Sequence, residues 1–255
     1  MAGVGAGLAV LLIVAGEACL GGAFDPDKPA DTSAADVCAW TPQSAGSNTD
    51  LKEVGKPPTT GIPTSGAAPM TITTNQGPIT VALDVTNAPC SAASLTYLAG
   101  KKFYDNTECH EITAEGALHC GDPSGTGLGG PTYTFYNENV PAAPAAEPSA
   151  SGAPRPATPL YPAGTVALTG NPPGNNGSQF LIFFKDYSPA ADPLYPIVGS
   201  VTGGMDTLAK IGKIPTLDNG SGDKVKPKTK IVVQSLTVGA AVADAPAPDR
   251  SGGQS

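Results

Sequence analysis

No run of lysine or arginine longer than the pair Lys101-Lys102 occurs in the 255 residues, and 14 basic against 22 acidic side chains leave a net charge of −8. A nucleic-acid partner needs clustered basic charge to neutralise phosphates, so this balance speaks against one; the acidity serves solubility. Histidine occurs twice, as His110 and His119 on one short segment, so no convincing Ser-His-Asp arrangement forms around Ser178 or any other serine. The glycine-dense stretch Gly121-Asp122-Pro123-Ser124-Gly125-Thr126-Gly127-Leu128-Gly129-Gly130-Pro131 lacks the Lys-Ser/Thr pair that closes a phosphate loop. It reads as a loop that must pass close to a neighbouring backbone. Charged residues are only 14% and aromatics 5%, while Gly (32) and Pro (27) cluster outside the apolar runs, as expected for an ordered core with Pro-rich appendages.

Residues 2–24 carry a single charge, Glu17, and the first basic residue is Lys28. The apolar stretch Leu8-Ala9-Val10-Leu11-Leu12-Ile13-Val14-Ala15 reaches the roughly 20 residues a bilayer requires only with its Gly/Ala flanks. Signals and anchors ordinarily begin with positive charge, so the reading is of a true start upstream. Gly16-Glu17-Ala18-Cys19 makes a poor lipoprotein site. The expectation is a membrane anchor or uncleaved signal over 1–24, with the bulk outside the cytoplasm. Residues 25–68 lack sustained periodicity and are expected to form a linker, which Cys38 and Trp40 can pin at one point. Residues 239–255 are expected to be a disordered tail.

The folded domain is expected over 69–238. Met70-Thr71-Ile72-Thr73-Thr74 and Pro78-Ile79-Thr80-Val81-Ala82-Leu83-Asp84 alternate about the turn Asn75-Gln76-Gly77, which predicts a hairpin. Asn87-Ala88-Pro89 opens a helix that places Leu95, Tyr97 and Leu98 near one face, with Gly100 as the stop. Residues 139–162 hold seven prolines and read as a long surface loop that cannot pair in a sheet. Thr165-Val166-Ala167-Leu168, Phe180-Leu181-Ile182-Phe183-Phe184, Ile197-Val198-Gly199-Ser200-Val201 and residues 230–238 read as core strands, and 205–211 as a short helix. Many short strands with two helices suggest a closed antiparallel barrel. Four cysteines lie beyond the N-terminal segment, and outside the cytoplasm they suggest two disulfides with three possible connectivities. Cys109–Cys120 is favoured because both sit on one hairpin, leaving Cys38–Cys90; buried free thiols are the alternative.

The stretch Gly170-Asn171-Pro172-Pro173-Gly174-Asn175-Asn176-Gly177-Ser178-Gln179-Phe180-Leu181-Ile182-Phe183-Phe184 is a polar loop feeding a buried strand, with the Gln179 amide at the junction. It resembles the Asn-x-Asn-Gly-Ser-Gln-Phe-Phe-Ile signature of cyclophilins, the peptidyl-prolyl cis-trans isomerases. The 121–131 loop resembles their Gly-Asp-Pro-x-Gly-Thr-Gly-x-Gly-Gly segment. The pieces around Tyr104-Asp105-Asn106-Thr107, 161–167 and 198–206 agree in order and spacing. The resemblance implies a mainly β fold: a closed, antiparallel, eight-stranded barrel capped by two helices. With its low aromatic content, anchor and Pro-rich linker, the chain looks most like extracytoplasmic, membrane-anchored members from actinobacteria.

Rotation about an X–Pro bond must break amide resonance, at a barrier of about 18–20 kcal/mol. Catalysis needs no covalent step: an apolar pocket holds the proline ring, and a cationic donor aims at the prolyl nitrogen as it regains a lone pair. In cyclophilins an arginine in a Phe-His-Arg motif is that donor; here the motif reads Cys109-His110-Glu111. An ionised carboxylate only accepts hydrogen bonds and repels a developing lone pair. By the same resemblance Gln179 is the substrate-orienting glutamine, and His119 stands at a second glutamine position where it can donate. Phe180 matches a core aromatic next to Gln179 and is counted with the substrate-binding positions, as is Leu181, which replaces the pocket-floor phenylalanine. Thr169 and Gly170 hold the peptide through backbone, and Tyr195 stands near the proline ring. The pocket-wall pair maps near Gly116-Ala117, both small, so one wall is expected to be missing; the pocket tryptophan has no equivalent. Taken without the resemblance, Gln179 also fits a turn cap, Glu111 an idle solvated carboxylate, and His110 a satisfied core histidine.

The expected function is a prolyl isomerase weakened at Glu111, with a non-catalytic module that binds Pro-containing segments as the alternative. The expected partners are unfolded or Pro-containing polypeptides and, through the N-terminal segment, a membrane; the chain is read as a monomer without cofactor. Cys109, His110, His119 and Cys120 also make a zinc-type set. Against it, neighbours on a strand point to opposite faces and a disulfide competes for the thiols, so no metal is expected.

Overall fold

The computed structural model of the protein describes residues 36–142 and 158–243. The elements follow in chain order: β1 (Thr41–Pro42), β2 (Leu51–Lys52), β3 (Ala67–Thr74), β4 (Gly77–Asp84), α1 (Pro89–Gly100), β5 (Thr107–Cys109), β6 (Glu111–Ile112), β7 (Ala117–Cys120), β8 (Gly130–Pro131), β9 (Tyr133–Thr134), β10 (Thr165–Gly170), β11 (Asn176–Phe183), β12 (Ile197–Gly203), α2 (Met205–Ile211), β13 (Thr216–Asp218), β14 (Lys224–Pro227) and β15 (Ile231–Val238). The expected anchor lies outside the described residues. Among those described, no helix is long and apolar enough to cross a membrane.

Alternation builds the first hairpin. In β3 and β4 the residues Met70, Ile72, Ile79, Val81 and Leu83 face inward and are buried, and Thr74 pairs with Gly77 across a two-residue turn. Gly77 takes a φ of +129°, which suits glycine at this tight position. Asn75 fixes the turn to the last strand, donating from Nδ2 to the Lys230 carbonyl and accepting from the Val232 amide. In α1, Pro89 stands in the first turn, where it loses no helical hydrogen bond. The cap comes from afar: the Glu138 carboxylate accepts from the amides of Cys90 and Ser91 and from the Ser91 hydroxyl, at 2.8–3.0 Å.

The main sheet has nine antiparallel strands in the order β5-β15-β3-β4-β12-β10-β11-β7-β6. Its two ends, β5 and β6, are consecutive stretches of one segment broken only at His110. The ladder therefore returns to the segment from which it starts, and the eight-stranded barrel that the resemblance implies is recovered by counting 107–112 once. Helices α1 and α2 pack on it through Leu95, Leu98, Leu208 and Ile211.

The barrel wall is buried on both sides along β11. Phe180 and Ile182 join the interior cluster, whereas Leu181 and Phe183 form a second cluster with Ala117, Tyr161, Ala167 and Ile197 on the opposite face. Tyr161 and Tyr187 stack over Phe183 at ring separations of 5.1 and 5.8 Å. This explains why the 180–184 run is apolar without alternating.

The expected linker 25–68 is corrected from residue 36 onward; residues 25–35 lie outside the described residues. Cys38 and Trp40 are buried in the interior cluster, and the Trp40 ring meets Tyr133 and Phe135 edge-on at 5.5 and 5.3 Å. β1 pairs with β9, and β2 runs parallel to β8. Cys38 is bonded to Cys90 and Cys109 to Cys120. Short pairings of two residues carry no periodic signal, so a wrap of this kind reads as linker until its partners are known. The tail is corrected likewise at its start: Gly239 donates to the Pro69 carbonyl and Val242 exchanges hydrogen bonds with Ala67, extending the β15–β3 ladder. Residues 244–255 lie outside the described residues. So do 143–157 of the expected loop, whose flanks are fixed by Asn139, donating to the Ile197 carbonyl, and by the fully buried Tyr161.

Candidate active site

Glu111, His119, Leu181, Ala167 and Ile197 are directly opposite one another across β6, β7, β11, β10 and β12. Residues opposite in a ladder share a face. The sheet register thus gathers, on the outer face of the barrel, positions separated by up to 86 residues. Ala167 packs within the tyrosine cluster, while Leu181 and the Glu111–His119 end border a cavity of about 370 Å³. That cavity is lined by Glu111, Thr113, Glu115, His119, Thr169, Leu181 and Tyr195, together with Asp223 and Val225.

Five of the expected site residues, Glu111, His119, Thr169, Leu181 and Tyr195, therefore line one space. Gln179 and Gly170 do not. They line a neighbouring cavity of about 160 Å³ with Asn171, Leu128 and Gly129, and Thr169, at a register shift between Leu168 and Gly170, borders both. Gln179 donates from Nε2 to the carbonyls of Gly127 (3.0 Å) and Gly129 (2.8 Å), which ties β11 to the glycine loop. Phe180 is the core aromatic that the resemblance implies, and its place among the substrate-binding positions is corrected: it is fully buried inside the barrel, edge-on to Tyr104 at 5.9 Å. Strand alternation turns it away from the cavity that Leu181 lines. Gly116 does not line the cavity, and a Cβ there would run into the Lys185 side chain. Ser178 is buried and donates from Oγ to the Gly121 carbonyl at 2.6 Å, a loop-holding contact.

The electrostatics of the wall centre on position 111. Glu111 Oε2 lies 3.2 Å from His119 Nδ1. That hydrogen bond, with the nearby imidazoles, holds the Glu111 carboxyl below the ordinary glutamate value against the upward push of burial. The carboxylate is thus engaged rather than idle. His110, expected as a satisfied core histidine, has no hydrogen-bond partner at either ring nitrogen, both of which are buried. Burial first, and then His119, push its pKa down to about 4, against the pull of Glu111 and Asp122. Burial likewise pushes Tyr195 up to about 12, helped by Glu115 and the neighbouring tyrosines.

Asp122, which the sequence reading left unassigned, organises the glycine loop. Oδ1 accepts from the amide and hydroxyl of Ser124 at 2.7 Å; Oδ2 accepts from the amides of Gly127 (2.6 Å) and Gly129 (3.1 Å). Burial raises its carboxyl, but these four donors outweigh burial and leave it below the ordinary aspartate value. Asp122→Asn keeps one acceptor oxygen and turns an NH₂ toward two amide donors. The expected result is a stability loss of about 3 kcal/mol, the range for a buried hydrogen bond to a charged group left unmade. Urea unfolding measures it, with faster hydrogen exchange at Gly127 and Gly129; unchanged exchange there would mean the loop is held by other contacts. The sequence reading also missed Asp223 and Val225. They belong to a hairpin of β13 and β14 around Asn219-Gly220-Ser221-Gly222, whose turn residues were the available signal.

The family model described as cyclophilin type peptidyl-prolyl cis-trans isomerase/CLD matches residues 69–238. The chain is 37% identical over 188 residues to "Probable peptidyl-prolyl cis-trans isomerase B" of Mycobacterium leprae, covering 71% of this chain and 61% of that protein. It is 33% identical over 216 residues to the protein of the same name from Mycobacterium tuberculosis, covering 83% and 66%. The chain thus spans less than two thirds of the length of these relatives. Among solved structures, a cyclophilin type peptidyl-prolyl cis-trans isomerase of Cryptosporidium parvum superposes with a TM-score of 0.52 at 24% identity, covering 69% of this chain and 99% of that one. The same protein has been crystallised in the presence of the dipeptide Ala-Pro.

Proposed function

We propose that this chain, which belongs to the cyclophilin-type peptidyl-prolyl cis-trans isomerases, binds Pro-containing segments of unfolded polypeptides in the cavity beside Glu111 and turns them over slowly. The observation that carries this reading is the row across the ladder: one half-apolar space is bordered by Leu181, Thr169, Tyr195, His119 and Glu111. Leu181 offers an apolar surface for the proline ring. Thr169 borders both cavities and offers backbone to an extended peptide running between them. The Ala-Pro dipeptide used with the Cryptosporidium parvum neighbour supports the same ligand class.

The weak step is electrostatic. Twisting the X–Pro amide concentrates electron density on the prolyl nitrogen, and a positioned donor is worth most at that moment. Glu111 offers a carboxylate instead, and it engages the Nδ1 of His119, so the nearest imidazole donor is turned to the carboxylate rather than to a substrate. The second reading, a binding module without turnover, is favoured by the same residue. Exchange spectroscopy on an Ala-Pro-containing peptide with the full chain distinguishes them. The expected result is saturable shifts around Leu181 and Thr169 together with slow catalysed exchange. Shifts without exchange would replace the first reading by the second, and neither would overturn both.

The compartment is proposed as the extracytoplasmic side of a cell membrane, reached through residues 1–24. Two disulfides joining four cysteines support an oxidising environment. Protease added to intact cells should cleave the domain; protection until lysis would sink this placement.

A further inference from the structure

We propose that His110, Glu111 and His119 form a binding site for one divalent transition-metal ion of the zinc class. This inference is independent of the isomerase reading.

Three observations carry it. First, one ligand-type atom from each residue lies within 4.8 Å of the others. Glu111 Oε2 and His119 Nδ1 are already 3.2 Å apart, close to the roughly 3.3 Å edge of a tetrahedron with bonds near 2.0–2.1 Å. Only His110 has to swing inward, and its ring centre is 4.1 Å from that of His119. Second, both nitrogens of His110 and Nε2 of His119 are buried with no hydrogen-bond partner among the described residues. An ion held through His119 Nδ1 and Glu111 would satisfy one of the two His110 nitrogens, an unpartnered buried lone pair whose burial otherwise costs free energy. Third, the backbone resolves the objection that neighbouring residues face opposite ways. His110 lies between the β5 ladder and the β6 ladder and belongs to neither, so it and Glu111 both reach His119. The Cys109–Cys120 disulfide ties the two strands immediately beside the two histidines.

The cysteines of the zinc-type set are spent in that disulfide, but the carboxylate replaces them. Two imidazoles and one carboxylate is a donor set that zinc accepts with a fourth position open. Two of the three ligands, Glu111 and His119, line the same cavity as Leu181, Thr169 and Tyr195. The ion also reverses the sign of charge on a wall that Glu111 otherwise makes negative.

The test is zinc binding to the full chain, stripped with a chelator and titrated in competition with a chromophoric zinc indicator. The expected result is one ion per chain, with affinity lost by more than about 100-fold in His119→Ala, beyond the roughly 10–100-fold that outer partners of a metal cost. Glu111→Gln, nearly isosteric and exposed enough to keep the fold, should lose a comparable amount, and it keeps the test decisive if His119→Ala unfolds. Cobalt substitution should give the intense visible absorption of a tetrahedral site and lose it in both variants. No stoichiometric zinc, or zinc retained in both variants, would overturn the site.

Discussion

Glu111→Arg is expected to raise kcat/KM for Ala-Pro isomerisation by about 100- to 1000-fold, equivalent to roughly 2.7–4 kcal/mol of transition-state stabilisation. The position favours the experiment. Residue 111 sits on β6 directly opposite His119, on the cavity face, and its side chain is 30% exposed, so a longer side chain has room to reach over the cavity. A guanidinium supplies fixed donors where the carboxylate only accepts. Because the donor acts on a nitrogen that becomes basic only in the twisted amide, the gain should appear in kcat, with KM little changed. Glu111→Gln, neutral and with an amide donor, should fall between. Measuring all three proteins in chelator keeps metal ions out of the comparison. A Glu111→Arg protein that binds the peptide but turns over no faster would sink the assignment of position 111 as the catalytic deficit. Wild type already as fast as the variant would do the same.

Cys38→Ser is expected to cost about 4 kcal/mol of stability, the larger of the two disulfide effects. Cys38–Cys90 spans 52 residues of sequence and Cys109–Cys120 spans 11. In the chain-entropy description the cross-link restricts the unfolded ensemble more when the loop is longer, giving about 4 and about 3 kcal/mol for the two. The loss should bring more than the bond itself, because the bond tethers the segment that carries Trp40 onto Tyr133 and Phe135. Urea unfolding of Cys38→Ser, Cys90→Ser and the double variant checks it. All three should shift alike, since either single change removes the same bond. A shift below about 1 kcal/mol would mean that the β1 and β2 pairings hold the wrap unaided.

How legible the site was depended on the type of signal. Gln179, Leu181 and position 111 were found because motifs fix their place in the chain. Their division between two cavities was not, because it depends on a register shift near Thr169 and on where the glycine loop meets β11. Phe180 is a core aromatic by the motif and in the fold, and it drops out of the substrate-binding set because a strand sends neighbours to opposite faces. Asp122 stood in plain view inside the glycine loop, yet its role depends on backbone amides up to seven residues on that converge only when the loop closes.

Taken by itself, the sequence determined the hairpin from its alternation, the helix from Pro89 and its apolar spacing, the buried strand from an unbroken apolar run, and the missing cationic donor from one residue type. These are local properties, written in spacing and side-chain chemistry. Only the tertiary structure decided that residues 36–66 wrap the barrel, that Glu111 is paired with His119, and that His110 joins them. Each of those depends on cross-strand register and long-range closure, which bring together residues whose separation in the chain carries no periodic mark.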